Sequence, residues 1–493
     1  MTAMSAAALR VLGFMVVIGG LVAGSTQLPD RMELAPTAAS VPINPGAPST
    51  SPATQSLLGC PGPETDGLSG LPAVPGETTN VQAATAPTEA IQGIATAASP
   101  GGVSVRLSDS EVALVTSSAR GAVVSGDLSG AVAAQVSATG SLAVGLAALQ
   151  TGLRRDGDER GLQASACQAP RSEVWLLAGG GAATRRERLV VANAGANSVT
   201  VDIQVHGASG PISSVNGARV AVPPHGRVGV LIDAIAPGEA APAVHVTATG
   251  GLITALLEDS WIDGATGRGR DDVTPADGPA AEAVIPAAYL TGVGRLRIVV
   301  PGADEAVVQS RALSPNGAVP LPADAVVRIP GGSVRDIDLS ALPPGAYALQ
   351  VRADHPIVAS AIVERRSTDV AQSDLAWIPA TAVIPVLAGT PVPPGTLARL
   401  SLVGTAAPWA ATVYVVGASG AVTTIPAQGI ADSSWTFDIP SGALAVWVRP
   451  SSGRVRAGLS AELADPAGAL VTLVGINPAS LTTTAIPVRE VSR

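Results

Sequence analysis

The sequence predicts an all-β protein of tandem immunoglobulin-like β-sandwich domains, which follow an N-terminal hydrophobic segment and a disordered stalk. Three observations support this fold class. The chain of 493 residues has 55 Gly and 41 Pro but only 2% aromatic and 14% charged residues, which is typical of short strands joined by turns. Apolar residues alternate with period two, as in positions 199–205. One pattern also recurs four times along the chain.

The N-terminus carries an uncharged apolar run at positions 11–24. This run is shorter than the about 20 apolar residues of a membrane-spanning helix and fits the roughly 7–15 residues of a signal-peptide core. We therefore expect residues 1–25 to be either a cleaved signal peptide or a retained membrane anchor. Both alternatives place the rest of the chain outside the cytoplasm, either secreted or on the outer face of the cytoplasmic membrane.

Residues 26–55 are rich in Pro, Ser and Thr and poor in large apolar side chains. Such a segment buries too little apolar surface to offset the entropy of ordering, and proline keeps it extended. We expect a linker that separates the folded domains from the N-terminal segment.

The recurring pattern is a strand, a turn with Gly or Pro and a second strand, which predicts a hairpin. It occurs at positions 134–149, 244–258, 349–364 and 446–462. The spacing of roughly 105–110 residues exceeds that of solenoid repeats and fits an immunoglobulin-like sandwich of about seven strands. The predicted domains are 56–180, 181–288, 289–385 and 386–493, arranged as a rod.

The only two cysteines, Cys60 and Cys167, fall in the first predicted domain. Outside the cytoplasm, a lone pair of cysteines most simply forms a disulfide. We expect this bond to stabilise a domain whose first strands have a weak pattern.

Candidate ligand-binding residues are few. Acidic side chains cluster in what the sequence suggests is a long Gly-rich loop, and Asp259, Asp263, Asp271 and Asp272 are candidate calcium or ligand contacts there. A solvated loop is the alternative, because Arg268 and Arg270 offer charge partners. Trp261 and Trp409 are candidate glycan contacts, with core packing as the alternative.

Catalytic and cofactor motifs are not apparent. The sequence has no Gly-x-Ser-x-Gly, His-Glu-x-x-His, Walker or Cys-x-x-Cys motif, and the four histidines lack a diagnostic metal spacing. The sequence thus predicts a protein that is not an enzyme and has no cofactor or metal. A formal net charge of −9 argues against a nucleic-acid partner.

Several short motifs resemble an uncharacterised family of secreted or membrane-anchored actinobacterial cell-envelope proteins, known only as a domain of unknown function. They are the N-terminal apolar segment, Cys60-Pro-Gly-Pro, Cys167, Trp175-Leu-Leu-Ala-Gly-Gly and Glu258-Asp-Ser-Trp261. The resemblance implies an envelope location and no catalytic residue.

The predicted function is therefore a non-enzymatic extracytoplasmic scaffold that engages an envelope protein or a wall glycan. It would contact the membrane through the N-terminal segment if that segment is not cleaved. A glycan-binding accessory protein of cell-wall polysaccharide assembly is the alternative. The partner, the oligomeric state and any calcium binding are left open by the sequence.

Overall fold

The secondary structure is strands and turns throughout the residues that the computed structural model describes, which are 49–63, 78–157, 159–182, 184–264, 266–321, 325–366 and 373–485. Within these ranges there are 33 strands, three short 3₁₀ turns and no α-helix, so the all-β class is confirmed. No helix among them is long and apolar enough to cross a membrane. The expected signal peptide or anchor at 1–25 and most of the expected linker lie outside the described residues.

The residues Ser51–Thr483 cluster into one compact body, and strand pairing divides most of it into four units. Unit I comprises β2 Gln55–Cys60, β3 Thr78–Thr85, β4 Val103–Leu107, β5 Ala113–Ser117, β6 Val123–Leu128, β7 Ala134–Thr139, β8 Leu146–Arg154 and β9 Gly161–Ala166, with a 3₁₀ turn at Gly140–Ala143. Unit II comprises β10 Glu173–Leu177, β11 Arg185–Ala192, β12 Val199–Gly207, β13 Gly210–Ile212, β14 Val220–Val222, β15 Arg227–Leu231, β16 Ala243–Thr249, β17 Thr254–Asp263 and β18 Thr266–Val273, with 3₁₀ turns at Val215–Gly217 and Ile232–Ala234.

The remaining strands form units III and IV. Unit III comprises β19 Ala280–Leu290, β20 Val293–Val299, β21 Ala306–Ser314, β22 Gly317–Pro320, β23 Val326–Ile329, β24 Val334–Asp338, β25 Gly345–Arg366 and β26 Ser373–Pro379. Unit IV comprises β27 Ala388–Pro391, β28 Leu397–Val416, β29 Val422–Gly429, β30 Ser433–Asp438, β31 Ala445–Leu463 and β32 Leu470–Ile476. The end strands β1 Ser49–Pro52 and β33 Thr482–Ala485 pair with each other, so the expected linker ends in a strand.

All four units share one antiparallel strand order. The first sheets are β2-β7-β4-β5 in unit I, β10-β16-β12-β13 in unit II, β19-β25-β21-β22 in unit III and β27-β31-β28-β29 in unit IV. The second sheets are β6-β3-β8-β9, β15-β11-β17-β18, β24-β20-β25-β26 and β30-β28-β31-β32. Immunoglobulin constant domains instead have the orders A-B-E-D and C-F-G.

The four recurring segments occupy equivalent places in this order, but they are not hairpins. In unit II, for example, β16 pairs with β10 and β12, whereas β17 pairs with β11 and β18. The segment therefore passes from one sheet to the other. In units III and IV the same passage is one long strand, β25 or β31. Period-two alternation predicts which face of a strand is buried, but it does not show which strand is its hydrogen-bonded neighbour. Two strands that face each other across a core therefore have the same sequence pattern as the two strands of a hairpin.

The unit boundaries also differ from those that the sequence suggested. Trp175 was expected near the end of the first domain, but its strand β10 pairs with β16 and begins unit II. Likewise β19, most of which fell in the predicted domain 181–288, pairs with β25 and begins unit III.

Each unit buries an apolar core between its two sheets, and neighbouring units share core residues. The core of unit II includes Leu375 and Trp377 from unit III, and the core of unit III includes Val471 from unit IV. The core of unit IV includes Leu149 and Ala164 from unit I. The first and fourth units are therefore in contact, unlike the domains of the expected rod, in which only consecutive domains touch.

Candidate functional site

The last strands of the four units pack against one another. Strand β9 contacts β18 and β32, and β26 contacts the same two strands. We call the meeting place of β9, β18, β26 and β32 the edge junction. Each of the four is an edge of its own second sheet, so their backbone groups and side chains meet where an isolated sheet would face water.

A single carboxylate, that of Asp374 on β26, binds the backbone of all four units. Its Oδ2 accepts hydrogen bonds from the amides of Val471 in unit IV, at 2.8 Å, and Leu162 in unit I, at 3.4 Å. Its Oδ1 accepts from Leu375 in its own unit, at 3.0 Å, and from Arg270 in unit II, at 3.4 Å. The side chain is fully buried. Burial raises the pKa of Asp374 to about 8, although the amides of Val471, Leu375 and Leu162 oppose the shift.

Buried ion pairs surround this carboxylate. Glu258 on β17 accepts from Arg188 at 2.7 Å and from Arg270 at 2.8 Å, and all three side chains are at most 2% exposed. Burial raises the pKa of Glu258, but the two guanidinium groups outweigh it and the net pKa lies below its usual value. Glu159 of unit I lies 3.6 Å from the same Arg188. Removing one partner from a desolvated pair of this kind leaves an uncompensated buried charge and strongly destabilises the fold.

The first and fourth units are joined by charge as well. Asp465, in the β31–β32 connection, forms ion pairs with Arg160 at 3.1 Å and with Arg155 at 2.7 Å. Arg160 also donates to the carbonyl of Gly468. These contacts link residues about 300 positions apart in the sequence, and they close the cycle of units.

Unit III is bound to unit II through Trp377 on β26. Its indole Nε1 donates to Asp259 Oδ2 at 2.7 Å, and its backbone amide donates to Asp271 Oδ2 at 2.7 Å. Arg185 pairs with the same Asp259. The second oxygen of Asp271 has no hydrogen-bond partner among the described residues, and burial raises the pKa of this carboxyl well above its usual value.

The acidic segment that the sequence suggested as a loop is two paired strands. Asp259 lies opposite Asp271 on β17 and β18, and Asp272 accepts from Gln150 and Gln163 of unit I. Only Asp263, near the tip, is exposed, and it pairs with Arg268 at 2.7 Å. The density of charged residues suggested a loop, but the carboxyl groups are buried against partners distant in the sequence. Arg185 pairs with Asp259, and amide groups donate to Asp271 and Asp272. Among the described residues, no three His, Cys, Asp or Glu side chains are placed to hold a metal ion.

The two tryptophans suggested as glycan contacts differ in their surroundings. Trp409 is only 2% exposed and packs in the core of unit IV, where its Nε1 donates to Ser433 Oγ at 3.3 Å. It is therefore not a surface platform. Trp261 is half-buried, and the guanidinium carbons of Arg185 and Arg268 lie 5.2 and 5.9 Å from its ring centroid.

A second polar site, which we call the Tyr289 cleft, opens between units III and IV and has a volume of about 460 Å³. Tyr289 and Arg365 of unit III face Arg399, Asp438 and Glu462 of unit IV. Ser460 and an apolar floor complete the lining, with Leu397, Ala398, Ile439, Ala461 and Val471 in that floor.

Strand register positions the unit IV side of the cleft. Arg399 on β28 lies opposite Asp438 on β30 and Ser460 on β31, so the three side chains share one face of the sheet. Arg399 binds Asp438 at 2.6 Å, and Arg365 binds Glu462 across the unit boundary. The guanidinium carbons of Arg399 and Arg365 lie 5.1 and 5.8 Å from the centroid of the Tyr289 ring.

The disulfide that the sequence suggested is present. Cys60, the last residue of β2, is bonded to Cys167, which follows β9. These strands belong to opposite sheets of unit I, so the bond joins the two sheets. A buried disulfide points to an oxidising environment.

A family of unknown function, DUF5719, matches residues 122–434. The chain belongs to this family. In this DUF5719 protein the matched region includes Tyr289, Asp374 and three of the four strands of the edge junction, and it ends before β32.

Comparison with curated proteins finds no match. The chain is similar at 17% identity to Thermotoga maritima 1070, covering 20% of this chain and 92% of that one with a TM-score of 0.18. It is similar at 14% identity to the Anabaena sensory rhodopsin transducer, covering 17% and 95% with a TM-score of 0.15. A tetra-tandem repeat from the extending region of a large adhesion protein shares 15% identity over 78% of this chain and 94% of that one, with a TM-score of 0.10.

Asp374, Tyr289, Arg399 and Asp438 were not among the candidate site residues of the sequence, whereas Asp259, Asp271 and Asp272, which bind residues of other units, were. Asp374 sits in a short segment with no recognisable motif, and its four donors come from distant positions. Arg399 and Asp438 gave no signal of a binding site in the sequence. Tyr289 had one usable signal, because the chain contains only three tyrosines.

Proposed function

We propose that this protein is a non-enzymatic interaction scaffold of the cell envelope, working outside the cytoplasm. The observation that carries the proposal is the set of hydrogen bonds to Asp374, which takes one amide from each of the four units. A scaffold must hold its binding surfaces in fixed relative positions. A buried carboxyl group shared by four units favours one arrangement, because any displacement leaves a buried amide without its hydrogen-bond acceptor.

The chemistry of the buried carboxylates favours a structural role for them. Asp374, Asp271 and Glu187 have raised pKa values, as catalytic acids often do. All three are nearly inaccessible to solvent, and each accepts a hydrogen bond from a backbone amide. A substrate could not reach them without displacing the strands that bury them.

The extracytoplasmic location rests on the disulfide and on the motifs shared with envelope proteins. Because Cys60 and Cys167 are the only cysteines, their redox state in cells is a direct test. Cells are quenched with acid, and free thiols are coupled to a maleimide-polyethylene glycol before and after reduction. We expect a mass shift only after reduction. A shift without reduction would place the chain in a reducing compartment and overturn the location.

The scaffold role is tested by photo-crosslinking in cells. A photoreactive residue replaces one exposed apolar side chain at a time, at Val112, Val215 or Val326, each at least 61% exposed. We expect a discrete adduct with an envelope protein from at least one position, and loss of that adduct in an Asp374→Ala background. Adducts that persist unchanged in that background, or none at any position, would contradict a scaffold held by the edge junction.

A second candidate function, a glycan-binding accessory protein of cell-wall polysaccharide assembly, is favoured by one feature, the Tyr289 cleft. Its aromatic ring and paired charges are accessible, unlike the buried Trp409.

A further inference from the structure

The Tyr289 cleft combines hydrogen-bond donors and acceptors with no net charge. Arg365 and Arg399 contribute two positive charges, and Asp438 and Glu462 contribute two negative charges. Ser460 adds a hydroxyl group, and Tyr289 adds a half-buried ring. Cavities that bind small molecules combine an apolar surface with a few convergent polar groups in volumes of about 300–1,000 Å³, and this cleft of about 460 Å³ falls in that range.

The ion pairs of the cleft are open to solvent. The side chain of Asp438 is 77% exposed and that of Arg399 is 33% exposed, while Glu462 and Arg365 are 34% and 24% exposed. Exposed pairs contribute little to folding stability. They can therefore exchange partners with a ligand at small cost, which the buried pairs of the edge junction cannot do.

The balance of charges selects the ligand class. A carboxylate or phosphate ligand would gain from the arginines but would be repelled by Asp438 and Glu462, and a cation would meet the opposite problem. A neutral ligand with several hydroxyl groups matches both sets, because each hydroxyl donates to a carboxylate and accepts from a guanidinium group. Leu397 of the apolar floor is 73% exposed and suits the C–H face of a sugar ring.

We propose that the Tyr289 cleft binds neutral hexose units of a polysaccharide, held between units III and IV. The proposal deepens the second candidate function and rests on it for the biological source of the glycan, whereas binding itself is measured on the purified chain. The arginines and carboxylates contact the hydroxyl groups, and Tyr289 with its neighbouring apolar side chains contacts the ring.

The test is calorimetric titration of the purified full-length chain with neutral oligosaccharides of glucose, galactose and mannose, and with a galacturonic acid hexamer. We expect saturable binding of at least one neutral oligosaccharide, with a dissociation constant of about 10 µM to 1 mM, and at least about tenfold weaker binding of the acidic hexamer. Arg399→Gln and Tyr289→Ala should each weaken neutral binding by about tenfold or more, because each removes a direct contact.

The matched control is Arg328→Gln. Arg328 forms an exposed pair with Glu305 at 2.8 Å, away from the cleft, and its substitution should leave binding unchanged. Tyr289→Phe keeps the ring and should retain most of the affinity. Preferred binding of the acidic hexamer, equal loss with Arg328→Gln, or no saturable binding of any neutral oligosaccharide up to about 10 mM overturns the proposal. None of these outcomes bears on the crosslinks or the disulfide that test the scaffold.

Discussion

The edge junction and the Tyr289 cleft both pair arginines with carboxylates, but they differ in solvent access. In the junction, Glu258 and Arg270 are 0% and 1% exposed. In the cleft, Asp438 and Arg399 are 77% and 33% exposed. Removing one partner of a buried pair leaves an uncompensated charge, at a cost of about 3–5 kcal/mol, whereas an exposed pair contributes about 0–1 kcal/mol. The same types of side chain therefore form a buried structural pair within unit II in one place and remain available to a ligand in the other.

In the junction a carboxyl group binds backbone amides, whereas the ion pairs of the cleft join side chains to each other. Amides of four strands converge on Asp374, so a shift of any one strand would break its hydrogen bond to this side chain. All 29 basic residues are arginines, whose planar group donates several hydrogen bonds at once. This suits a junction in which Arg270 bonds to Glu258 through its side chain and to Asp374 through its amide.

The largest effect is expected from Asp374→Ala. The substitution leaves four buried amides without their acceptor, at about 1–3 kcal/mol for each unsatisfied group. We expect the free energy of unfolding, measured by urea denaturation, to fall by more than about 4 kcal/mol. Asp263→Ala is the control, because its carboxylate is 55% exposed, and it should cost less than about 1 kcal/mol. Similar losses for both variants would show that the junction is not what joins the units.

The next largest loss of stability is expected at a position where two backbones approach closely. Gly269 has φ of +118°, and a Cβ built there would lie 2.4 Å from the amide nitrogen of Leu375. Gly269→Ala should therefore separate β18 from β26 and lower the free energy of unfolding by about 2–4 kcal/mol. Gly264 also has positive φ, at +64°, but a Cβ there meets nothing within 4 Å. Gly264→Ala should cost about 1 kcal/mol, so an equal cost at both positions would contradict a tight contact at Gly269.

A smaller loss of stability is expected when the pH is raised. Burial and the charge of Asp259 raise the pKa of Glu187 to about 8, against about 4.3 in an unfolded chain. The folded state then holds a proton that the unfolded state has lost, so stability is full below about pH 4 and declines until about pH 8. The slope for this group is at most about 1.4 kcal/mol per pH unit. Thermal melting from pH 5 to pH 8 should show the decline, and Glu187→Gln should reduce its slope.

Glu187→Gln mimics the protonated carboxyl, so it should also melt higher than the unsubstituted chain at pH 8. Asp263→Asn, on an exposed carboxylate, should leave the slope unchanged. An identical pH dependence with and without the Glu187 carboxyl would mean that this group is ionised in the folded protein.

The sequence predicted what depends on local pattern and missed what depends on distant partners. Period-two alternation and the fourfold recurrence predicted the all-β class and the equivalence of the four segments. The same alternation could not separate a hairpin from a strand pair that crosses between sheets. Asp259, Asp271 and Asp272 suggested a solvated loop because a single sequence does not show that Arg185, Trp377 and Gln163 pack against them. The partners lie 74, 106 and 109 positions away.

The smallest change in the free energy of unfolding should come from a substitution in the cleft, and this variant compares the two sites most directly. Arg399→Gln removes the arginine paired with Asp438, and Arg188→Gln removes one of the two arginines paired with Glu258. In each case the arginine and the carboxylate lie on neighbouring strands of a second sheet. Arg188 is 2% exposed and its partner Glu258 is fully buried, so its loss should cost about 3–5 kcal/mol. Arg399→Gln should cost less than about 1 kcal/mol, and that small cost should shrink further in 1 M salt, where the Debye length is about 3 Å. If both variants lost the same stability, the Tyr289 cleft would be a structural joint like the edge junction, and its charges would not be free to meet a ligand.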